Sequence, residues 1–213
     1  MKLGIGIPYY KNSPECEVAF KKLMKTLEKQ VGGNIYLFIY EDGQESEWLY
    51  DNKYIFNYNI CVYGDEVNRG ISYARNELLK TLIKYQECDY IMFLDSDDMI
   101  DCDFISKTYE AASAGIYDMI MSKFIMNKRE IEYPQRCNVA GICLRVNFIK
   151  GLSFNEEYNI SEDTIFINEV YARCPKIFII DSNYYYNYGI NPNSLMMRYE
   201  RSEIGIKKWK INY

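Results

Sequence analysis

Short apolar runs alternate with amphipathic helical patterns along the first half of the chain, and this alternation restricts the possible folds. Runs of strand length lie at residues 3–7, 35–40, 60–63 and 90–94. Between them, the periodicity predicts a helix that begins at Ser13-Pro14 and stops near Gly32-Gly33, and a second helix over 71–85. Strands that alternate with helices indicate an α/β fold with a mainly parallel central sheet flanked by helices.

The second half of the chain is less regular. Its pattern predicts helices over 104–114 and 162–173, the second capped by Ser161, and strands over 119–121 and 176–180. A hairpin is predicted around Asn127-Lys128-Arg129. Residues 184–197 are rich in Tyr and Asn without a clear period, and we interpret them as a loop or short strand.

Composition limits the classes of protein that the chain can belong to. Its 213 residues are 48% hydrophobic and 26% charged, which suits one globular domain. The net charge of -5, without a Lys/Arg-rich block, argues mildly against DNA as a partner. Histidine is absent, so acid-base chemistry falls to Asp, Glu, Tyr, Lys or Cys.

Cysteine spacing and hydropathy predict the compartment. The seven cysteines are scattered and never spaced as CxxC, which is typical of free thiols in a reducing compartment. No apolar run reaches the ~18 residues that a transmembrane helix requires. We therefore expect a cytoplasmic protein without a transmembrane segment.

A run of carboxylates follows the strand predicted at residues 90–94, in the stretch YIMFLDSDDMIDCDF. Its members are Asp95, Asp97, Asp98, Asp101 and Asp103. Carboxylates held close together repel one another, so a pair at the end of a buried strand indicates a cation, a donor-rich ligand or an exposed turn. In extended backbone Asp95 and Asp97 would point the same way, because side chains alternate along a strand.

Three interpretations of this acidic run can be compared. A calcium loop of the EF-hand type needs Asp or Asn and then Gly where this chain has a Met-Ile pair, so it is excluded. An acidic helix start accounts for Asp101 and Asp103. It does not account for Asp95 and Asp97, for which we predict metal and ligand binding. Carboxylates without His or Cys nearby favour Mg²⁺ or Mn²⁺. Asp98 is left unassigned.

Taken in order, several segments resemble the GT-A-fold glycosyltransferases, specifically the large family 2 of inverting enzymes. The matching segments are GIGIPYY, YEDG, NRGISYARN, FLDSDD, ISEDTIF and YYYNYGINPNSLM. The resemblance implies a Rossmann-like GT-A fold in a single domain, with a short antiparallel element. It implies a nucleotide-binding half at residues 1–100, an acceptor and catalytic half at 101–199, and a tail at 200–213.

The resemblance also implies roles for individual residues. Those assigned to the nucleotide sugar are Pro8, Tyr10, Asp42, Asn68, Gly70, Arg75, Asp95 and Ser96. Pro8 and Tyr10 would line the nucleobase pocket and Asp42 would hydrogen-bond the base. In the DxD motif, Asp95 would meet the ribose and a metal-bound water, and Asp97 would ligate the metal. Glu162 and Asp163 match the catalytic pair, with Asp163 as the base.

The expected reaction is transfer of a sugar from a nucleoside diphosphate, UDP in preference to GDP, to an acceptor hydroxyl. A Mn²⁺ or Mg²⁺ ion would stabilise the charge that develops on the departing diphosphate. Asp163 would take the proton of the attacking hydroxyl, and its place at a helix N-terminus is expected to keep it ionised. The acceptor is left open between a glycan, a lipid-linked glycan and a modified DNA base.

Other interpretations remain open on the residues alone. Asp42 could belong to an ordinary Asp-Gly turn, and Arg75 could lie on a solvated helix face. Glu162 and Asp163 could be a pair that only complements the helix dipole. A catalytically silent nucleotide-sugar-binding protein would share the pocket. A GT-A-like nucleotidyltransferase normally begins with a basic, Gly-rich phosphate loop, which GIPYYKNS does not match.

The chain departs from the family pattern near its C-terminal end. Where many members carry a late His or an aromatic-Arg motif, this chain offers Tyr188, Asn191 and Ser194. The third metal ligand is therefore open between another side chain and the diphosphate with water. Residues 200–213, with three lysines beside Trp209, predict a short, solvated, basic amphipathic helix in preference to a docking element.

Overall fold

A computed structural model describes residues 1–30, 33–52, 59–85, 87–126, 128–131, 138–158 and 161–186. In these residues nine strands form one sheet: β1 (Leu3–Tyr9), β2 (Ile35–Asp42), β3 (Asn59–Asp65), β4 (Tyr90–Phe93), β5 (Met99–Ile100), β6 (Met119–Met126), β7 (Arg129–Ile131), β8 (Cys143–Arg145) and β9 (Ile177–Tyr186). The helices are α1 (Pro14–Glu28), α2 (Glu47–Asn52), α3 (Ile71–Lys80), α4 (Phe104–Ser113) and α5 (Glu162–Ala172), and a π-helical turn, Thr81–Tyr85, continues α3.

Most of the sheet is parallel. Its strand order is β3-β2-β1-β4-β8-β6-β9-β5, and β7 pairs with β6. The longer strands β1, β2, β3, β4, β6 and β9 all point the same way, whereas the short strands β5, β7 and β8 run antiparallel to their neighbours. The predicted α/β fold, with a mainly parallel sheet and a short antiparallel element, is confirmed.

The sequence of β1, LGIGIPY, explains how the two sides of the sheet are packed. Its odd-numbered residues from Leu3 to Tyr9 are buried in the core formed with α1 and α4. On the other side, a Cβ at Gly4 would lie 2.5 Å from Cδ2 of Leu82, and one at Gly6 would lie 3.3 Å from Cβ of Leu78. The two glycines therefore allow α3 and its π-helical turn to lie close against the sheet, where they form a second core with α5.

Helix boundaries agree with the sequence except at the end of α1. Ser13 is the N-cap, with its hydroxyl accepting the backbone N–H of Cys16 at 3.4 Å, and Pro14 follows as the first helical residue. The helix ends at Glu28, before the predicted Gly32-Gly33 stop, and Gly32 lies outside the described residues. The elements α2, β5 and β8 were not predicted, because elements this short do not contain enough residues to show a hydrophobic period.

The strands of the second half are longer than predicted. β6 extends to Met126 and forms the predicted hairpin with β7, although Asn127 in its turn lies outside the described residues. β9 continues beyond residue 180 to Tyr186, through polar residues that break the apolar pattern. The remaining residues of the predicted loop, including Tyr188, Asn191 and Ser194, and the predicted helix at 200–213 lie outside the described residues.

Two further expectations concern cysteines and membranes. The six cysteines in the described residues are free thiols, as their spacing predicts; Cys137 is not among them. In the same part of the chain, no helix has both the length and the apolar character needed to cross a membrane.

Gly141 and Gly151 offer a matched test of core packing. Their φ angles are +68° and +82°; a Cβ at Gly141 would overlap the ring of the buried Tyr184, whereas one at Gly151 would meet nothing within 4 Å. We expect Gly141→Ala to lower the free energy of unfolding by about 3 kcal/mol, because overpacking adds to backbone strain. Gly151→Ala should cost only about 1 kcal/mol from the backbone. Urea denaturation measures both, and equal losses would contradict the overlap.

Candidate active site

The carboxyl ends of β1, β2 and β4 lie at one edge of the sheet, because the three strands are adjacent and parallel. Their register brings Pro8, Tyr10, Asp42 and Asp95 to this edge. Pro8 is buried within β1, and Tyr10, which follows it, is 40% exposed. Ligands of open α/β sheets bind at this edge, so the predicted crevice lies where the fold favours it.

Asp42, at the end of β2, joins this strand to the turn before α3. Its carboxylate is buried and accepts the backbone N–H of Arg69 at 2.6 Å and of Gly70 at 2.9 Å. Burial raises the pKa of Asp42, and the two N–H groups partly offset that effect. The Asn68 amide lies 3.5 Å from the Asp42 carbonyl oxygen. Asp42, Asn68 and Gly70 therefore come together, and the predicted contacts with the nucleotide stay predictions.

Arg75 is buried at the centre of the site, and not on a solvated helix face. Its guanidinium donates to the Asp95 carboxylate at 2.8 Å and to the Glu162 carboxylate at 2.7 Å. Burial disfavours the charged guanidinium, but Asp95, Glu162 and Asp163 outweigh burial and raise the pKa of Arg75. Arg75 therefore links the turn after β4 to the start of α5.

The DxD residues lie in a turn, which corrects the expectation of extended backbone. β4 ends at Phe93, and the backbone N–H of Asp98 donates to the carbonyl oxygen of Asp95 at 3.1 Å, which closes a turn containing Ser96 and Asp97. Burial first, and then the charge of Asp95, raises the pKa of Asp97 to about 6. The charge of Asp95 therefore acts on Asp97, although the two residues lie in a turn and not on one side of an extended strand.

The other three carboxylates of the acidic run bind β9, a role that the sequence did not indicate. The Tyr184 hydroxyl donates to buried Asp98 at 2.6 Å and accepts the backbone N–H of Asp95 at 3.3 Å. Asp101 accepts the backbone N–H of Asn183 at 2.9 Å, and Asp103 accepts the Ser182 hydroxyl at 2.7 Å. Alternation of buried Ser182 and Tyr184 along β9 is the signal that could have revealed this pairing.

Asp101 and Asp103 were predicted to act at the start of the following helix, and the contacts correct this. Asp103 occupies the N-cap position of α4, but its side chain makes no capping hydrogen bond. It pairs instead with Lys107 at 2.7 Å, in addition to Ser182. Ser161, the predicted cap of α5, has a left-handed φ of 67° and likewise makes no side-chain capping bond.

Glu162 and Asp163 occupy the first turn of α5 and have different surroundings. Glu162 is buried against Arg75, whereas Asp163 is half-buried and accepts the backbone N–H of Thr164 at 2.7 Å. Burial raises the pKa of both carboxyls, and Arg75 partly offsets this. Burial and the charge of Asp95 thus oppose the effect of the helix N-terminus on Asp163, and the expectation that Asp163 is kept ionised stays a prediction.

A cleft of about 840 Å³ lies at the opposite edge of the sheet, near the start of β4. Its polar side chains join strands: Asp89 accepts the backbone N–H of Lys2 at 2.7 Å, and Arg145 donates to the Tyr90 hydroxyl at 3.1 Å. The carboxylates of the candidate site are not among its lining residues.

The mainly parallel sheet, with Asp42 and Asp95 at its carboxyl edge, defines an α/β protein of the kind whose ligands bind at that edge. Residues 5–167 match the model of Glycosyl transferase family 2, and the chain belongs to that family. No curated protein matches the sequence.

Crystal structures of S. aureus TarS have a similar fold. One TarS chain gives a TM-score of 0.72 at 20% identity, covering 87% of this chain and 36% of that one. TarS 1-349 in complex with UDP gives a TM-score of 0.69 at 21% identity, covering 87% of this chain and 60% of that one. Its complex with UDP-GlcNAc gives a TM-score of 0.69 at 22% identity, covering 87% of this chain and 58% of that one. The chain thus spans less than two thirds of these TarS chains, and the likeness establishes the GT-A fold.

The raised pKa of Asp97 predicts a pH dependence of stability. The folded protein binds this proton more tightly than the unfolded chain, where the pKa of Asp is ~4. The stabilisation is therefore present below pH ~4 and is lost as the pH rises through about 6. We expect Asp97→Asn to raise the free energy of unfolding at pH 7.5 by about 1 to 3 kcal/mol and to flatten its slope between pH ~4 and ~6.

Urea denaturation across this pH range, without divalent metal, measures the effect of Asp97→Asn. Asp89→Asn, at an exposed position on the opposite edge of the sheet, is the matched control and should keep the wild-type slope. An unchanged slope in Asp97→Asn would show that this carboxylate is not the group that titrates.

Proposed function

We propose that the protein is a metal-dependent, inverting glycosyltransferase that transfers a sugar from a nucleotide sugar to an acceptor hydroxyl. The observation that carries this proposal is the assembly around Arg75, which holds the carboxylates of Asp95 and Glu162 at 2.8 and 2.7 Å. Asp97 lies two residues after Asp95, and Asp163 directly follows Glu162. Membership of Glycosyl transferase family 2 supports the same reaction class.

UDP is the favoured nucleotide of this proposal. TarS 1-349 has been crystallised with UDP and with UDP-GlcNAc, and those complexes support a uridine nucleotide sugar here. Pro8 and Tyr10 would line the base pocket. Asp42 would help by fixing the Arg69-Gly70 backbone, and a hydrogen bond from the base to Asp42 would use an oxygen that already accepts one of these N–H groups. The identity of the sugar is left open.

The residues present fit a Mn²⁺ or Mg²⁺ ion. Asp95 and Asp97 supply carboxylate oxygens, which these cations prefer. Burial and then the charge of Asp95 raise the pKa of Asp97, and a bound cation would oppose both effects. Among the described residues, no group of three His, Cys, Asp or Glu side chains could hold the ion by itself. Diphosphate and water would complete its coordination. When bound, the ion supplies positive charge to the departing diphosphate.

Asp163 would act as the base that takes the proton from the acceptor hydroxyl. A base works best when its pKa lies near the working pH, and the raised pKa of Asp163 is a shift in that direction. Arg75 limits this shift and keeps the carboxylate available for the proton. Attack from the face opposite the diphosphate would invert the anomeric carbon.

Two alternatives remain as outcomes of experiment. A catalytically silent nucleotide-sugar-binding protein would need the pocket but not a base, so it would not be affected by loss of Asp163. A nucleotidyltransferase is disfavoured because the segment PYYKNS, at and after the end of β1, is not a Gly-rich basic phosphate loop. The acceptor is a glycan, a lipid-linked glycan or a modified DNA base.

Nucleotide binding is the direct test of the proposal. We expect UDP with Mn²⁺ to stabilise the protein more than GDP, CDP or TDP, by about 2.7 kcal/mol when the ligand concentration is 100 times Kd. Thermal unfolding and calorimetry, each with and without Mn²⁺, measure this. Asp97→Asn should lose the Mn²⁺ dependence and Asp89→Asn should keep it. If no nucleotide stabilises the wild-type protein with metal present, the proposal is wrong.

Asp163→Asn tests the proposed base. We expect the rate of sugar transfer, or of hydrolysis of the UDP-sugar, to fall by about 10² to 10⁴-fold, because the amide cannot take a proton. The Kd for UDP should remain within about twofold, since the substitution preserves shape and removes no proposed nucleotide contact. Asp89→Asn is again the control, and wild-type rates in Asp163→Asn would exclude this residue as the base.

A further inference from the structure

Glu162 faces Arg75 and not the open side of the site. Its side chain is buried, and Oε1 accepts from Nη1 of Arg75 at 2.7 Å. The family resemblance groups Glu162 with Asp163 as a catalytic pair, but an oxygen committed to a buried guanidinium is a poor acceptor for a proton of the substrate. The neighbouring carboxylate of Asp163 is half-buried, and it forms no ion pair with any residue that the structure describes.

The guanidinium of Arg75 has two carboxylate partners that arrive from different parts of the chain. Nη1 is bound to Glu162 on α5, and Nη2 donates to Asp95, after β4, at 2.8 Å. Its central carbon lies 5.5 Å from the ring centroid of Phe154, and that ring stacks on Phe166 of α5 at 4.2 Å. The orientation of the fork is therefore fixed by contacts with α5 on one side and with the DxD turn on the other.

The same helix face of α3 also holds the segment that leads into α5. Asn76 donates to the Phe154 carbonyl at 2.9 Å and accepts the Phe154 backbone N–H at 2.8 Å. The Ser72 hydroxyl donates to the carbonyl oxygen of Tyr158 at 2.9 Å. Arg75 and Asn76 lie three and four residues after Ser72, so both are on the same side of the helix as Ser72. α3 thus fixes the segment before α5 through Ser72 and Asn76, and α5 itself through Arg75.

We propose that Glu162 is a positioning residue: it holds Arg75 in the orientation that fixes Asp95, and so ties the start of α5 to the DxD turn. This role rests on the proposed glycosyltransferase function. Because Asp163 follows Glu162 directly, the ion pair sets the position of the base relative to the carboxylate assigned to the nucleotide sugar. Glu162 acts through Arg75 and does not exchange a proton with the substrate.

Two substitutions of Glu162 separate positioning from catalysis. Glu162→Gln keeps an oxygen that accepts from Arg75, so we expect a loss in kcat/KM of about tenfold or less. Glu162→Ala removes the acceptor, and we expect a loss of about 100-fold together with about tenfold weaker binding of UDP and Mn²⁺, because Asp95 is no longer held. In both variants an acidic limb of the pH profile of kcat/KM should persist, since Asp163 remains the base, and its midpoint should move to lower pH because the charge of Glu162 no longer repels the Asp163 carboxylate.

The controls lie in the same helix. Glu169→Gln, at an exposed position of α5, should match the wild type in rate and in UDP binding. Asp163→Asn should lose the acidic limb that both Glu162 variants retain. Thermal unfolding shows whether Glu162→Ala folds. If it does not, the rate and the pH profile of Glu162→Gln by themselves distinguish a positioning role from a catalytic one.

The outcomes distinguish this role from the function on which it rests. A rate loss in Glu162→Gln as large as that in Asp163→Asn, with loss of the acidic limb, would make Glu162 a base and overturn the positioning role. Wild-type rate and UDP affinity in Glu162→Ala would overturn it as well. If the wild-type protein binds no nucleotide, the proposed function falls, and the positioning role falls with it.

Discussion

The arrangement of the site depends on one buried cation, the guanidinium of Arg75. An ionised side chain in the interior costs several kcal/mol unless it is paired and hydrogen-bonded. Its partners, Asp95 and Glu162, come from the turn after β4 and from α5, which lie far apart in sequence. Apolar packing alone would allow α3, this turn and α5 to shift relative to one another. Satisfying the Arg75 charge requires one arrangement, and that arrangement sets two predicted functional carboxylates on either side of the same cation.

The acidic run after β4 divides according to the hydrogen-bond donors that each carboxylate meets. Asp98, Asp101 and Asp103 meet hydroxyl and N–H groups of β9, namely those of Tyr184, Asn183 and Ser182. These bonds attach the turn to a strand that β6 holds in place. Asp95 and Asp97 stay at the edge of the sheet, where Arg75 is paired with Asp95. These hydrogen bonds would hold the turn in place for the proposed metal ion, since a preformed ligand geometry favours binding.

The local sequence pattern predicted most of the strands and helices. It missed the features that depend on contacts between residues far apart in sequence. The alternation of apolar runs and helical periods predicted β1, β2, β4 and α3, whose buried residues are mostly apolar. The polar end of β9 was interpreted as a loop or short strand without a choice between them, because its burial depends on partners about 80 residues away, such as Asp98 for Tyr184. Likewise, nothing near Arg75 in the sequence indicates burial, since Asp95 and Glu162 neutralise it only in the folded chain.

The direction of a pKa shift helps to separate carboxylates that stabilise the fold from those held ready for a ligand. Lys107 and then Ser182 lower the pKa of Asp103, so ionised Asp103 stabilises the folded state. Asp97 and Asp163 show the opposite direction, because burial disfavours their charge, and each lowers stability at neutral pH. Burial alone is not sufficient to mark a functional residue: the pKa of Glu41 is also raised, yet Glu41 accepts the Ser46 backbone N–H at 2.6 Å within a turn. Asp97 and Asp163 combine a raised pKa with a position beside the Arg75 assembly, as Glu162 does, but Glu162 is paired with Arg75; a cation bound at Asp97 would offset the cost of its charge.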